Sequence, residues 1–221
     1  MKILAIDTAT ERCSVALRID GQVIIREIET PRGHADLILP MVKEVLGEAG
    51  CSLRQLDGIA YGRGPGAFTG VRIAIGVVQG LAFGADLPTV GISNLAAVAQ
   101  QVAQRQDHIL VCMDARMQEV YWGTFVRESG NDRVRAVGAE RVGAPDTVQT
   151  DWIPSVVVGT GFGAYPLLSQ RFAEIAAHPT VLPRAREIAV LGEWELAQGR
   201  GRPAAEAQPV YLRDNVAVAK K

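Results

Sequence analysis

The chain has 221 residues, 48% of them apolar, and its 23 basic and 24 acidic side chains leave a formal charge of −1. That is enough chain for one large domain or two lobes with a real core. The near balance of charge excludes a global electrostatic pull toward nucleic acid or anionic membrane, so any RNA contact needs a local patch or a basic partner.

In chain order, residues 1–8 read as an apolar strand ending on Asp7. No charged segment followed by a long apolar core precedes it, so no signal peptide and a cytoplasmic location are expected. Residues 13–20 and 22–29 form two further strands, joined at Asp20-Gly21, a strong hairpin signal. Residues 34–48 carry Leu37, Ile38, Met41, Val42, Val45 and Leu46 at helical spacing. Pro40 inside this pattern predicts a kink or a late start. Cys13, Cys51 and Cys112 lack metal or redox spacing and are expected to be three buried thiols.

Residues 61–74 are the most informative stretch. Four glycines and a proline lie between the apolar residues 58–60 and the apolar run 71–83, giving strand, tight turn, helix. Two readings are open: backbone N–H groups at a helix N-terminus that hold an anion, or close packing of a helix on a sheet. No lysine of the P-loop type follows. The run 71–83 predicts a helix buried on most sides, and Arg72 and Gln79 break it as a membrane span. Residues 93–104 predict a third helix, with Ser93 as its N-cap.

The opening pattern then recurs. Residues 109–113 form a strand ending on Asp114, residues 119–127 a second strand, residues 129–132 a turn, and residues 134–142 a third strand. Strand–Asp–turn–strand–hairpin–strand occurs twice, which predicts two α/β lobes on one plan, 1–104 and 105–221. Residues 155–158 add a strand running into the glycine-rich 159–163, and helices are predicted at 165–177 and 186–198. Residues 199–208 read as a mobile linker, and the tail 209–214 as a segment that docks back onto the body.

Among candidate chemical groups, Asp7 and Asp114 are either paired carboxylates across a cleft, holding a metal–nucleotide, or caps of the turns that follow their strands. Residues 159–164 satisfy a relaxed dinucleotide-loop pattern, but no βαβ unit with a ribose-binding acid is evident. His34, His108 and His178 form no helical metal pair, with His34 expected at a helix start and His178 in a turn before Pro179. No Gly-x-Ser-x-Gly elbow occurs.

Residues 6–10 with 13–17, the run 64–73, residues 114–121 and the tail 209–213 together resemble the TsaB (YeaZ) family. The resemblance implies the two-lobed fold shared by actin, sugar kinases and heat-shock ATPases. It also implies a role in threonylcarbamoylation of the tRNA adenosine next to the anticodon, as a non-catalytic partner of the paralogue TsaD. That paralogue carries a metal-binding His-x-x-x-His pair, whose positions fall here on Asn94 and Val98. Valine cannot ligate a metal and asparagine is a poor ligand for a transition metal, so no catalytic residue, metal or cofactor is expected. An active ATPase or small-molecule kinase of the same fold is the alternative, and a peptidase a third reading that Asn94 and Val98 weaken.

The helices at 34–48 and 71–83 carry more apolar surface than one small sheet needs. They are expected to form the TsaD contact, with Leu37, Met41, Val45 and Ile75 as anchors and a two-fold homodimer as a competing use of the same face. The other expected partners are a TsaE-type P-loop ATPase and tRNA, the latter only through the complex; none is a membrane.

Overall fold

The computed structural model describes residues 1–103, 107–128, 130 and 133–213. The predicted lobe boundary at 104/105, the end of the predicted third helix and most of the predicted turn at 129–132 lie outside these residues.

Each half of the chain builds a five-stranded sheet. The first contains β1 (Lys2–Asp7), β2 (Arg12–Ile19), β3 (Gln22–Glu29), β4 (Gly58–Gly62) and β5 (Thr89–Ile92), in the order β3-β2-β1-β4-β5. The second contains β6 (His108–Asp114), β7 (Val120–Arg127), β8 (Val134–Gly143), β9 (Val156–Val158) and β10 (Ala176–His178), in the order β8-β7-β6-β9-β10. The two orders are the same once β6 is set on β1. In both, the first strand pairs antiparallel with the second and parallel with the fourth. The β2–β3 hairpin turns at Asp20 (φ 48°) and Gly21 (φ 89°), the double left-handed geometry expected of a primed turn.

Alternation along the strands sorts residues into layers. On the outer face of the first sheet, Leu4, Ile6, Val15, Leu17 and Ile59 meet α1 (His34–Glu48) and α2 (Phe68–Ala85). The opposite face, with Ile3, Ala5 and Ala60, shares one continuous core with Ile109, Val111 and Phe125 of the second sheet. Between the sheets lie α3 (Asn94–Gln100) and α6 (Ala185–Ala197). The far face of the second sheet, including Leu110 and Trp122, is covered by α4 (Gly161–Ala164) and α5 (Pro166–Arg171). The two inner helices are exchanged: α3, from the first half, packs on β6, β7 and β8, whereas α6, from the second, packs on β1, β2, β4 and β5.

Several elements depart from the sequence reading. The helix predicted over 165–177 ends at Arg171, and Ala176–His178 is a strand paired in parallel with β9. His178 therefore sits in a strand. Residues 199–208 are held rather than loose: Thr89 and Arg202 exchange two backbone hydrogen bonds (2.7 and 2.8 Å), Gln79 Nε2 donates to the Ala207 carbonyl (2.9 Å), and Ala207 is buried. The tail docks as expected, with Val210 N–H on the Arg63 carbonyl at 2.8 Å. Helix α1 starts at His34 and runs through Pro40 to Glu48 without the late start. Cys13 and Cys112 are buried, but Cys51 is only partly so.

Helix α2 is not buried on most sides. Val71, Ala74, Ile75, Val78 and Ala82 face the core, while Arg72, Gly76, Gly80 and Phe83 are open to solvent, Phe83 to 85%. Composition alone hides this, because beyond Arg72 the outer stripe is glycine and phenylalanine rather than charge. Its 18 residues are long and apolar enough by composition to cross a membrane, although its inner residues belong to the core. The same burial corrects two of the four expected anchors. Val45 (0%) and Ile75 (6%) are core residues, whereas Leu37 and Met41 are half-buried at its edge.

Candidate functional site

The lobes meet along a cleft of about 820 Å³, walled by the turn after β1, the glycine loop into α2, and the turn after β6. Thr8, Thr10, Thr69 and Thr160 contribute hydroxyls, and Asp114 a carboxylate.

The glycine loop rests directly on the turn after β1. A Cβ on Gly66 would stand 2.5 Å from the Ala9 carbonyl oxygen, and one on Gly70 2.0 Å from that of Thr8. Ala67 N–H donates to the Ala9 carbonyl (2.7 Å) and Thr8 Oγ1 to the Gly70 carbonyl (2.7 Å). Of the two readings of this loop, close packing is the one these contacts support. The second lobe repeats the device: a Cβ on Gly159 would stand 2.4 Å from the Cys112 carbonyl oxygen, and Asp114 N–H donates to Thr160 Oγ1 (3.0 Å). The loop at 159–163 thus seats β9 against β6, as residues 62–70 seat β4 and α2 against β1.

The two strand-ending aspartates occupy different environments and do not form a facing pair in the cleft. Asp114 lines it and caps its own turn: its carboxylate accepts from Arg116 N–H (2.9 Å), Arg116 Nη1 (3.1 Å) and the Tyr165 hydroxyl (2.9 Å). Beyond it Arg116, Met117 and Gln118 run consecutively left-handed (φ 59°, 54°, 64°), a conformation that side chains with a Cβ rarely adopt. Arg213 of the tail braces that turn, reaching Glu119 (2.5 and 3.0 Å) and the Ala115 carbonyl (3.1 Å).

Asp7, by contrast, is fully buried behind the glycine loop. Its Oδ1 accepts from Asn94 Nδ2 at 2.7 Å, and Oδ2 has no hydrogen-bond partner among the described residues. Asn94 Oδ1 in turn accepts from Gly64 N–H at 2.8 Å, so one amide joins β1, the glycine loop and the start of α3. The sequence reading placed a lost metal ligand at Asn94 but missed this structural role. An asparagine in an apolar helix start was the available signal. Val98, one turn further on, is fully buried in the shared core. Ser93 caps α3 through Ala96 N–H (3.2 Å) as expected, and its hydroxyl donates to Glu140. His34 begins α1 with Nε2 2.9 Å from the Thr10 carbonyl, and the His108 ring lies tilted against Trp152, with centroids 4.7 Å apart. No group of three metal-ligating side chains occurs among the described residues.

Burial raises the Asp7 pKa to about 6, with the Asn94 hydrogen bond opposing the rise. A folded-state pKa above the unfolded value means that folding favours the protonated form. This contribution is fully present below about pH 4 and lost as pH rises through about 6. The stability of the parent relative to Asp7→Asn is therefore expected to fall by about 2 kcal/mol between pH 4 and pH 7.5. Urea denaturation at both pH values checks this, and a pH-independent difference would contradict it.

Two sheets of identical strand order, exchanged inner helices and a cleft between paired turns define a duplicated α/β protein of the actin-like ATPase fold. The family model described as "TsaD: tRNA N6-adenosine threonylcarbamoyltransferase" matches residues 24–221. The chain is 43% identical to the tRNA threonylcarbamoyladenosine biosynthesis protein TsaB of Escherichia coli, over 98% of this chain and 96% of that one. It is 39% identical to TsaB of Haemophilus influenzae, over 98% and 95%. The solved structure of YeaZ from Pseudomonas aeruginosa superposes with a TM-score of 0.86 at 41% identity, covering 95% of this chain and all of that one. The chain belongs to the TsaB (YeaZ) family.

Proposed function

We propose that the protein acts in the cytoplasm as a non-catalytic subunit of tRNA threonylcarbamoyladenosine biosynthesis. It docks onto a TsaD-type catalytic paralogue and supports transfer of threonylcarbamoyl to the adenosine next to the anticodon. The observation that carries the reading is the fate of the two positions where the resemblance implies metal histidines. Asn94 spends its amide on Asp7 and Gly64, and Val98 fills the core. A TsaE-type ATPase joins the same assembly in this reading, and tRNA is met through the complex.

The outer face of α1 and α2 supports the docking. Leu39 (51% exposed) on α1 and Phe68 (54%) and Phe83 (85%) on α2 are large apolar side chains in the open, and α2 also carries Gly76, Gly80 and Gly84, whose Cβ positions have no atom within 4 Å. A partner helix can approach closely along these glycines. Leu37 and Met41 are half-buried on α1, and a second copy of the chain is the competing occupant. Light scattering of the chain mixed with a TsaD-type protein tests the reading. Phe83→Glu is expected to stay folded and weaken the complex at least about 100-fold, as loss of a central apolar anchor does. A folded Phe83→Glu chain that binds with unchanged affinity places the interface elsewhere.

The interlobe cleft favours a second reading, an ATPase or small-molecule kinase of the same fold. Calorimetric titration with MgATP separates the two: micromolar affinity with turnover by the isolated chain supports the second.

A further inference from the structure

On the side of the molecule formed by the β2–β3 hairpin, the end of α3 and the length of α6 lies a second concavity of about 1040 Å³. Its walls carry four arginines, Arg18, Arg133, Arg184 and Arg186, against two carboxylates, Glu187 and Glu193. The carboxylates are committed. Glu193 accepts from Arg18 Nε (2.7 Å), and Glu187, almost fully buried, accepts from Arg184 Nε and Nη2 (2.7 and 2.9 Å). Arg133 pairs with Glu128 at the rim and lies over Trp194, 3.7 Å from the ring centroid. The guanidinium groups of Arg18, Arg133 and Arg184 are thereby fixed in place by a carboxylate or an indole face. Arg18 keeps Nη2 and Arg184 keeps Nη1 without an acceptor among the described residues. Arg186 is exposed and has no ion pair or hydrogen bond among them.

A guanidinium presents planar N–H forks that match phosphate oxygens, and one already held by an acid loses little freedom on binding. Several such forks along one groove, with the neutral amide of Gln22 beside them, suit a chain of phosphates better than a single anion. We propose that this groove contacts the phosphate backbone of the tRNA handled by the assembly. The unpaired charge of Arg186 and the unused N–H groups of Arg18 and Arg184 are, among the described residues, the local contact points that a chain of net charge −1 requires for any direct RNA contact. The inference rests on the reading of the protein as a tRNA-modification subunit. An acidic protein segment is the rival occupant.

The test uses fluorescence anisotropy with unmodified tRNA, on the chain alone and in complex with a TsaD-type protein, over a salt series. Arg186→Glu is the informative variant, because Arg186 has no hydrogen-bond or ion-pair partner among the described residues whose loss would disturb folding. The expected result is an affinity about three- to tenfold lower at low salt, and a log–log salt slope reduced by about 1, with Arg186→Lys keeping the parental slope. Light scattering on the same samples reports the complex separately. If no complex forms, the subunit reading fails. If it forms and Arg186→Glu binds tRNA with parental affinity and slope in both settings, the groove inference alone is overturned. Polyglutamate that binds the parent but not Arg186→Glu, while tRNA binds both with the same affinity and slope, would assign the groove to an acidic protein and also overturn it.

Discussion

Gly70→Ala is expected to destabilise the protein by about 3 kcal/mol, the upper range for forcing atoms into a filled site. The added Cβ would stand 2.0 Å from the Thr8 carbonyl oxygen, and neither side can retreat. Thr8 follows directly on β1, which is hydrogen-bonded to β2 and β4 on its two edges, and the first turn of α2 is tied down by Ala67 N–H on Ala9. Helix propensity pulls the other way by roughly 1 kcal/mol, since glycine is a poor helix former. The same helix supplies the control. Gly76 has nothing within 4 Å of its Cβ position, so Gly76→Ala should stabilise the isolated chain by about 0.5–1 kcal/mol. Urea denaturation of both variants decides the matter. If the two changes have the same sign, close packing is not what the glycine at 70 provides.

Asn94→Ala should cost about 3 kcal/mol or more, because it strands two buried groups at once. Asp7 loses its only side-chain donor among the described residues, and Gly64 N–H loses its acceptor. The loss should be steeper at neutral pH than at pH 4, since the carboxylate already sits with a pKa raised to about 6 by burial. Combining the change with Asp7→Asn should recover part of the loss, as expected of two groups in direct contact. A deficit under about 1 kcal/mol, or strict additivity of the pair, would show that the amide is not the joint described above.

The duplicated plan was legible because it is local: an apolar run, an aspartate and a hairpin signal lie within thirty residues and recur in the second half. The helix faces were only half legible. Spacing identified α1, yet it could not say that Val45 points into the core while Leu39 points out, because both are apolar. What the sequence hid was non-local. Residues 176–177 look helical and His178 looks like part of a turn until β9 offers an edge to pair with, and residues 199–208 look loose until Thr89 and Gln79 take up their backbone. At the site, Asp7 and Asp114 are symmetric in sequence but not in environment. The difference is made by Asn94, 87 positions away from Asp7.

The exchange of inner helices has a consequence for how the chain is made. The last strand of the first sheet ends at Ile92, and the helix that covers its inner face begins only at Ala185. At ~5–20 residues per second, a ribosome needs on the order of ten seconds to deliver that cover. During that interval Ile3, Ala5 and Ala60 remain without the α6 side chains that bury them in the finished molecule. Neither half is therefore a self-sufficient unit of biogenesis. The nascent first lobe is a natural client for a chaperone near the tunnel exit, and a nonsense mutation before codon 185 should yield aggregate rather than a working half-protein.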